Sequence, residues 1–370
     1  MTSTQTKPRV EIVGSFLPPE ELEEARNAMK LGEKSPEEVR EIEDAVIDRL
    51  IDREIKSGLQ IVTDGEIRRK KWDCDFWEGL NGMNRERIDT GRIYQDEVVR
   101  HDLLRFSGRI AYNPEHPFFE KFKHMQELTR GRAEVRQTMP SPGELYMRIL
   151  VGGNGDLSKF YESPETLEDD IANAYLQTIE EFYRLGCRHI QFDTAVWGRL
   201  GDPYFEKTLL LGGIDADRVT DTLISLLNRT VSGRPADLEI TLNIAADETT
   251  IPRWGDEKEL EHIRRMLEEV DADAFLLPFD IDNVGHLEAL KWLPSGKRAI
   301  LGLVDGSLPN MESINDIVNA IHFANRYVPM EFISISPTCG FKVNDRERQG
   351  LNYESQWNKI DLLNEAAELV

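Results

Sequence analysis

The chain has 370 residues, of which 40% are apolar, and carries a formal net charge of -23 at pH 7. This charge disfavours binding to nucleic acid or to an anionic membrane surface, because a protein that binds either normally presents a basic face, and it favours a small-molecule substrate. No run approaches the roughly 18 apolar residues of a membrane span and the N-terminus has no apolar signal stretch, so we expect a cytoplasmic protein without a membrane partner.

Short β-rich runs alternate with longer helical patterns along the chain, which is typical of βα units in a parallel sheet. Eight strands are predicted, at Glu11–Phe16, Gln60–Glu66, Glu134–Ser141, His189–Ala195, Leu238–Ala245, Ala274–Asp280, Arg298–Gly306 and Glu331–Thr338. Helices are predicted after the Ser35-Pro36 and Ser163-Pro164 capping signals and near Ala216–Leu227, Glu257–Val270, Val284–Leu290, Ser313–Tyr327 and Tyr353–Leu369. Eight strands with covering helices predict an α/β fold of the TIM type, a (β/α)8 barrel.

The segment from Met83 to Arg132 breaks this rhythm, since it is charged and aromatic and contains two short extended runs, Ile93–Arg100 and Leu103–Ala111. We predict an insertion after the second strand that forms a lid over the barrel mouth, with an ordinary surface excursion as the alternative. A (β/α)8 barrel usually has about 250 residues plus insertions, so residues 1–370 are predicted to form one elaborated domain.

In such a barrel, side chains at the C-terminal ends of the strands face the active site. The segment after the second predicted strand carries a dense set of charges and rings, which a solvated loop with one aromatic anchor explains poorly. Glu66 is a candidate catalytic residue there, and the candidate substrate-binding residues are Asp64, Arg68, Trp72, Phe76 and Trp77.

The fourth predicted strand carries Asp193 near its end, and Trp197 follows as a candidate pocket residue. A carboxylate in an otherwise apolar barrel mouth costs free energy unless it is paired or used, so Asp193 is the leading acid/base candidate. Tyr146, after the third strand, is a candidate pocket residue, although a proline-fixed turn explains that segment nearly as well. Later strand ends add the candidates Asn243, Asp280 and Asp305.

The three cysteines are widely separated and odd in number, which disfavours a disulfide framework. Cys187 precedes a strand and is predicted to be core, and Cys74 has no evident activating base. Cys339 is a candidate catalytic residue, with a purely structural role as an equal alternative, because small buried cysteines are common.

Four motifs lie at predicted strand ends: Val13-Gly14-Ser15-Phe16, Thr63-Asp64-Gly65-Glu66, Gln191-Phe192-Asp193 and Ser336-Pro337-Thr338-Cys339-Gly340. They resemble the active-site motifs of the catalytic half of cobalamin-independent methionine synthase, and more closely those of its short single-barrel relatives, in the superfamily shared with uroporphyrinogen decarboxylase. The resemblance implies that Glu66 and Asp193 hold the amino group of an amino-acid thiol such as homocysteine. It also implies that Ser15 contacts the carboxylate of that ligand.

The same resemblance implies a zinc site that this chain lacks. The family binds zinc through a His-x-Cys pair, a glutamate and a cysteine, and these positions fall on Asn243 and Ala245, on Pro278 and on Cys339. Alanine and proline side chains offer zinc no ligand, so no metal is expected. A rebuilt magnesium or manganese site is the alternative, because several carboxyl groups follow nearby strands, but nothing in the spacing sets its geometry; its candidates are Asp247, Glu248, Asp280, Asp282 and Cys339.

Three functions remain open from the residues. The first is metal-independent acid–base chemistry, of lyase or decarboxylase type, on a small carboxylated or phenolic substrate, with Asp193 as acid/base, Arg68 as anion clamp and Asn243 and Asp305 in support. The second is methyl or alkyl transfer to a thiol, and the third is a non-catalytic ligand-binding barrel. No cofactor is expected; folate binding and a homo-oligomeric state are left open.

Overall fold

The computed structural model describes residues 7–94, 97–151, 157–200, 202–211, 213–244, 254–255, 257–342 and 350–370, with the backbone alone at 87–94, 97–103, 258 and 259. Its strands are β1 (Arg9–Val10), β2 (Ile61–Val62), β3 (Asn81–Tyr94), β4 (Glu97–Ala111), β5 (Glu134–Pro140), β6 (His189–Asp193), β7 (Glu239–Asn243), β8 (Ala274–Pro278), β9 (Arg298–Val304) and β10 (Ile333–Pro337). Eight of them form one parallel sheet in the order β1-β10-β9-β8-β7-β6-β5-β2, and β3 pairs with β4 in an antiparallel hairpin.

The two edge strands of the eight-stranded sheet come together at their C-terminal ends. The backbone N–H of Phe16 donates to the carbonyl of Gly65 at 2.9 Å, and the Thr63 hydroxyl donates to the carbonyl of Gly14 at 2.8 Å. The sheet therefore curls until the segments that follow β1 and β2 are neighbours. The predicted α/β fold of the TIM type is confirmed.

Helices cover the outside of this sheet. They are α1 (Glu20–Lys30), α2 (Pro36–Lys56), α3 (Cys74–Trp77), α4 (Pro117–Thr129), α5 (Pro142–Val151), α6 (Pro164–Arg184), α7 (Pro203–Leu211), α8 (Ala216–Val231), α9 (Glu257–Glu269), α10 (Ile314–Ala324) and α11 (Tyr353–Glu368). The predicted caps are present: Ser35 and Glu38 form a reciprocal capping box, and the Ser163 hydroxyl accepts the N–H of Thr166. The helix predicted near Val284–Leu290 is a 3-10 helix that spans Val284–Trp292.

The two edge strands of the sheet, β1 and β2, are shorter than the sequence predicts, and β1 (Arg9–Val10) precedes the predicted run Glu11–Phe16, which is not a strand. Only Ile61–Val62 of the predicted strand Gln60–Glu66 is extended and paired, because Gly65 and Glu66 adopt left-handed backbone angles, with φ of 63° and 53°. A left-handed residue breaks the alternating geometry of a strand, and it is uncommon for a residue with a side chain. The polar end of this segment is therefore a tight turn.

The segment predicted as an insertion contains two different structures. The predicted extended run Ile93–Arg100 falls on the end of β3 and the start of β4, with residues 95 and 96 outside the described ranges, and the predicted run Leu103–Ala111 lies within β4. The hairpin is the additional element, whereas α4 packs against α2, α6 and β5 and so belongs to the outer helical layer. That the hairpin closes over the mouth remains a prediction.

The core lies between the sheet and this helical layer, and all five residues of β8 are buried. This burial on both faces explains the continuous apolar runs in the sequence. Among the helices in the described ranges, none is both long and apolar enough to cross a bilayer.

A network of buried charges occupies the N-terminal end of the barrel. The Arg298 guanidinium donates to Glu11 at 2.5 Å and to Glu239 at 2.7 Å, and Arg136 forms a second ion pair with Glu11. His189 lies 3.3 Å from Glu239. Burial alone would raise the pKa of Glu11, but Arg136 and Arg298 hold this pKa well below its usual range. The charges at this end of the barrel are therefore mutually neutralised.

Candidate functional site

A pocket opens among the loops that follow the C-terminal ends of the parallel strands. It has about 270 Å³ of empty space, partly open to solvent, and is lined by Val13, Ser15, Glu66, Trp72, Asp193, Asn243 and Gly340. Five of these residues, Ser15, Glu66, Trp72, Asp193 and Asn243, were predicted as site residues.

Glu66 is held by the turn that follows β2. Its backbone N–H donates to the carboxylate of Asp64 at 2.9 Å, so Asp64 supports the turn. Its own carboxylate accepts hydrogen bonds from Arg69 and from the Thr138 hydroxyl, each at 2.9 Å. Arg69 in turn donates to the carbonyl of Thr138 at 2.8 Å. The Glu66 carboxylate is thus buried, oriented and paired with one arginine.

Asp193, at the end of β6, is buried but is held by neutral groups. Its carboxylate oxygen Oδ1 accepts hydrogen bonds from the side-chain amides of Gln191 and Asn243, each at 2.8 Å. No lysine or arginine in the described ranges lies within 4.0 Å of it. Burial, and next the negative charge of Glu66, raise the pKa of Asp193 to about 7. The pocket therefore contains two carboxyl groups, one of which titrates near neutral pH.

The opposite wall of the pocket joins the first and last strand loops. Phe341 donates its backbone N–H to the carbonyl of Ser15 at 3.0 Å, and Lys342 donates to the Ser15 hydroxyl at 3.3 Å. A Cβ atom at Gly340 would lie 2.0 Å from the Ser15 hydroxyl oxygen. Glycine at position 340 is what permits this close approach.

Several predicted pocket residues lie elsewhere. Phe76 and Trp77 are completely buried, and the Trp77 indole donates to the Tyr175 hydroxyl at 2.9 Å, so α3 directs both rings into the core. Trp197 is buried in the same core. Tyr146, on α5, hydrogen-bonds with Glu168 of α6. These rings support the mouth without reaching the carboxylate pair.

The predicted anion clamp is also displaced. Arg68 forms ion pairs with Asp44 and Glu43 of α2, and Arg69 takes the position beside Glu66. Asp280 is exposed and accepts the N–H of Asp282 in a turn, and Asp305 accepts the N–H and hydroxyl of Ser307. Each of these carboxylates holds a local turn.

The residues at the family's metal positions do not fit zinc. Asn243 donates its amide to Asp193, and the carbonyl of Pro278 accepts the Trp254 indole N–H at 2.7 Å. Cys339 is buried next to Thr338, with 3.9 Å between its sulfur and the threonine hydroxyl. Ala245, Asp247 and Glu248 lie outside the described residues. Within the described ranges, no three His, Cys, Asp or Glu side chains are grouped closely enough to hold a metal ion.

Sequence reasoning missed three residues that organise the carboxylates: Arg69, Thr138 and Gln191. The position of Gln191 could have been predicted, because it lies two residues before Asp193 on the same strand and therefore on the same face of the sheet. Thr138 lies near the end of β5, where the rule for strand ends applies. Arg69 lies in a turn, where no period predicts its direction.

Comparisons with known proteins agree with this architecture. The family model described as "Cobalamin-independent synthase, Catalytic domain" matches residues 162–353. The uncharacterized protein YxjG of Bacillus subtilis is 28% identical over 356 residues, covering 95% of this chain and 92% of that protein. A solved structure from Listeria monocytogenes, described as a candidate vitamin-B12-independent methionine synthase, superposes with a TM-score of 0.75 at 26% identity, covering 99% and 98% of the two chains. The B12-independent methionine synthase of Shewanella sp. W3-18-1, solved with selenomethionine, has a TM-score of 0.68 at 17% identity and covers 98% of each chain.

Proposed function

The chain belongs to the cobalamin-independent synthase catalytic-domain family, and from this premise we propose that it is an enzyme whose pocket binds the ammonium group of a sulfur-containing amino acid between Glu66 and Asp193. The observation that carries the proposal is the buried carboxylate pair. One arginine contacts Glu66, and no lysine or arginine of the described chain contacts Asp193. Two buried carboxyl groups with one cation leave a net negative site, which a primary ammonium group would neutralise.

The amino-acid class is supported by two further points. Ser15 and the backbone around Gly340 line the same pocket and offer hydrogen-bonding groups for a ligand carboxylate. The Shewanella protein of the same fold is a B12-independent methionine synthase solved with selenomethionine, a thioether-like amino acid. The reaction we assign is transfer of a methyl or other alkyl group to or from the ligand sulfur, and this assignment rests on the family likeness.

We further propose that this chemistry proceeds without zinc. The metal supplies an activated thiolate where it is bound, but the described residues at its ligand positions are an asparagine, a proline and a single cysteine. The residues that remain bind and orient the ligand. Elemental analysis of the purified protein by mass spectrometry, before and after incubation with zinc, tests the point: a stoichiometric ion would contradict it.

Calorimetry of ligand binding tests the ammonium site. We expect L-methionine or L-homocysteine to bind, and 4-(methylthio)butanoate, which lacks the amine, to bind at least about tenfold more weakly. An ammonium group lowers the pKa of Asp193, which is about 7 in the free protein, so binding at pH 7 should release protons. Titrations in buffers of different ionisation enthalpy measure this release.

Variants localise the effect. Glu66→Gln and Asp193→Asn should each weaken methionine binding by about tenfold or more, since each removes half of the carboxylate pair. Asp280→Asn is the matched control, because Asp280 is an exposed carboxylate in a turn and should leave binding unchanged. Equal binding of methionine and its desamino analogue would contradict the proposal.

A second function is favoured by one specific observation. A carboxyl group with a pKa of about 7 suits general acid–base catalysis at neutral pH, so a metal-independent lyase or decarboxylase acting on an anionic substrate is the competing candidate. An anion placed beside Asp193 would raise its pKa, so binding would take up protons. The sign of the proton change therefore separates the two functions. Ligand binding with no turnover of 5-methyltetrahydrofolate and homocysteine, or of any tested acid, would favour a non-catalytic barrel.

A further inference from the structure

Lys121 of α4 is a partly buried cation with no ionic partner among the residues that the structure describes. Its ammonium group lies 4.4 Å from the centre of the Phe118 ring, and no carboxylate of the described chain lies within 4.0 Å of it. Burial, and secondarily the charges of Arg69 and Arg68, lower its pKa, although Asp64 and Asp75 partly oppose this shift. A desolvated cation costs free energy unless an anion pairs with it.

The neighbouring cations have partners of their own. Arg68 pairs with Asp44, Arg69 with Glu66, and Arg85 with Asp75. Lys123, two residues along the same helix, is exposed and pairs with Glu120 at 2.5 Å. Lys121 therefore differs from the surrounding charges in combining partial burial with the lack of a carboxylate contact.

Lys121 shares an aromatic neighbour with Arg69, the arginine that holds the pocket residue Glu66. The guanidinium of Arg69 lies 4.9 Å from the centre of the same Phe118 ring, and this guanidinium donates directly to Glu66 in the pocket wall. Both cations thus contact the same aromatic ring. Asp64, in the turn that follows β2, acts on Lys121 electrostatically and raises its pKa.

We propose that Lys121 is an anion-binding residue beside the turn that carries Glu66 and Arg69, where it holds a carboxylate or phosphate group. The inference rests on the proposed function only in that the anion would belong to the amine ligand or to its co-substrate. The ligand class it defines has an ammonium group at Glu66 and Asp193 and an anionic oxygen group near Phe118.

The test compares two lysines of α4. Inorganic phosphate and glutarate, added separately at millimolar concentration, should raise the melting temperature of the wild-type protein and of Lys123→Gln, and should not raise that of Lys121→Gln. The apparent dissociation constant of the anion should weaken by about tenfold or more in Lys121→Gln and be largely restored in Lys121→Arg. A response to glutarate alone would assign the site to a carboxylate, and a response to phosphate alone to a phosphate group.

Equal responses in all three proteins would overturn the inference and leave Lys121 as a side chain that covers Phe118 with its aliphatic stem. If Lys121→Gln does not fold, limited acetylation of the wild-type protein replaces it: phosphate or glutarate should protect Lys121 and leave Lys123 unprotected, and lack of protection would overturn the inference. Methionine binding in Lys121→Gln separates the two proposals, because its retention leaves the ammonium site intact whatever the anion result.

Discussion

The two ends of the barrel both bury carboxylates but surround them differently. At the N-terminal end, Glu11 forms ion pairs with three arginines, Arg136, Arg298 and Arg9, and its pKa lies well below the usual range. At the mouth, Asp193 is held by two amides, lies near Glu66, and has its pKa raised to about 7. Breaking a buried ion pair lowers the free energy of unfolding, whereas a buried charge without an ionic partner can be neutralised by a ligand of opposite charge. The comparison therefore separates charges that stabilise the fold from charges that serve binding.

The largest expected effect comes from the paired end. Glu11→Gln leaves Arg136 and Arg298 buried beside a neutral side chain and should lower the free energy of unfolding by about 3–5 kcal/mol. Because the pKa of Glu11 is lowered in the folded state, its contribution is present above the usual value of 4.5 and is lost as the pH falls below it. Urea denaturation at pH 7 and at pH 4 measures both effects.

The control for this variant lies on the surface of α9. Glu268 pairs with Arg264 at 2.7 Å on the solvent side, and Glu268→Gln should change the free energy of unfolding by less than about 1 kcal/mol. Similar losses of unfolding free energy in Glu11→Gln and Glu268→Gln would show that a buried ion pair at the N-terminal end stabilises the fold no more than an exposed one.

The opposite sign is expected at the mouth. Asp193→Asn removes the repulsion with Glu66 and should raise the free energy of unfolding of the ligand-free protein by about 1–2 kcal/mol at pH 7.5. The folded-state pKa of Asp193 is raised, so wild-type stability falls as the pH rises from 3.8 to about 7, and the variant should lack this fall. Melting temperatures at pH 5 and pH 7.5 give the comparison; a variant less stable at both would contradict the unneutralised pair.

The smallest expected effect on the free energy of unfolding comes from a third buried carboxyl group, Glu54, which supports the segment that leads to Glu66. Glu54 of α2 is fully buried, one of its carboxyl oxygens accepts the N–H of Thr63 at 3.3 Å, and the other has no partner. Burial raises its pKa well above the usual 4.5, so its stability contribution is lost as the pH rises from that value towards the raised pKa. Glu54→Gln keeps an acceptor for Thr63 and should stabilise the protein at pH 7 by about 1 kcal/mol.

Glu54→Leu is the matched variant, because it also removes the titrating group but leaves the N–H of Thr63 without its acceptor. It should be less stable than Glu54→Gln by about 1–3 kcal/mol in the same urea titration. Identical stabilities would mean that the bond to Thr63 does not support the turn that carries Glu66.

The fold was more predictable than the details of the site. Seven of the eight barrel strands fall within the runs that βα alternation predicts, since buried parallel strands are continuous apolar runs between helices, whereas β1 (Arg9–Val10) precedes the predicted run Glu11–Phe16. The predicted extended runs Ile93–Arg100 and Leu103–Ala111 also fall on the strands β3 and β4. Phe76 and Trp77 looked like pocket rings, but the short helix α3 buries both.

The sequence by itself determined the barrel, the positions of Glu66 and Asp193 at strand ends, and the presence of Asn243, Ala245 and Pro278 at three positions where the family resemblance implies zinc ligands. Only the tertiary structure decided that Arg69, and not Arg68, contacts Glu66, and that Lys121 lies beside the same ring as Arg69. The physical reason is that strand and helix periods predict which face a residue occupies, whereas the left-handed turn at Gly65 and Glu66 has no period. Side-chain directions beyond that turn follow from packing against distant elements.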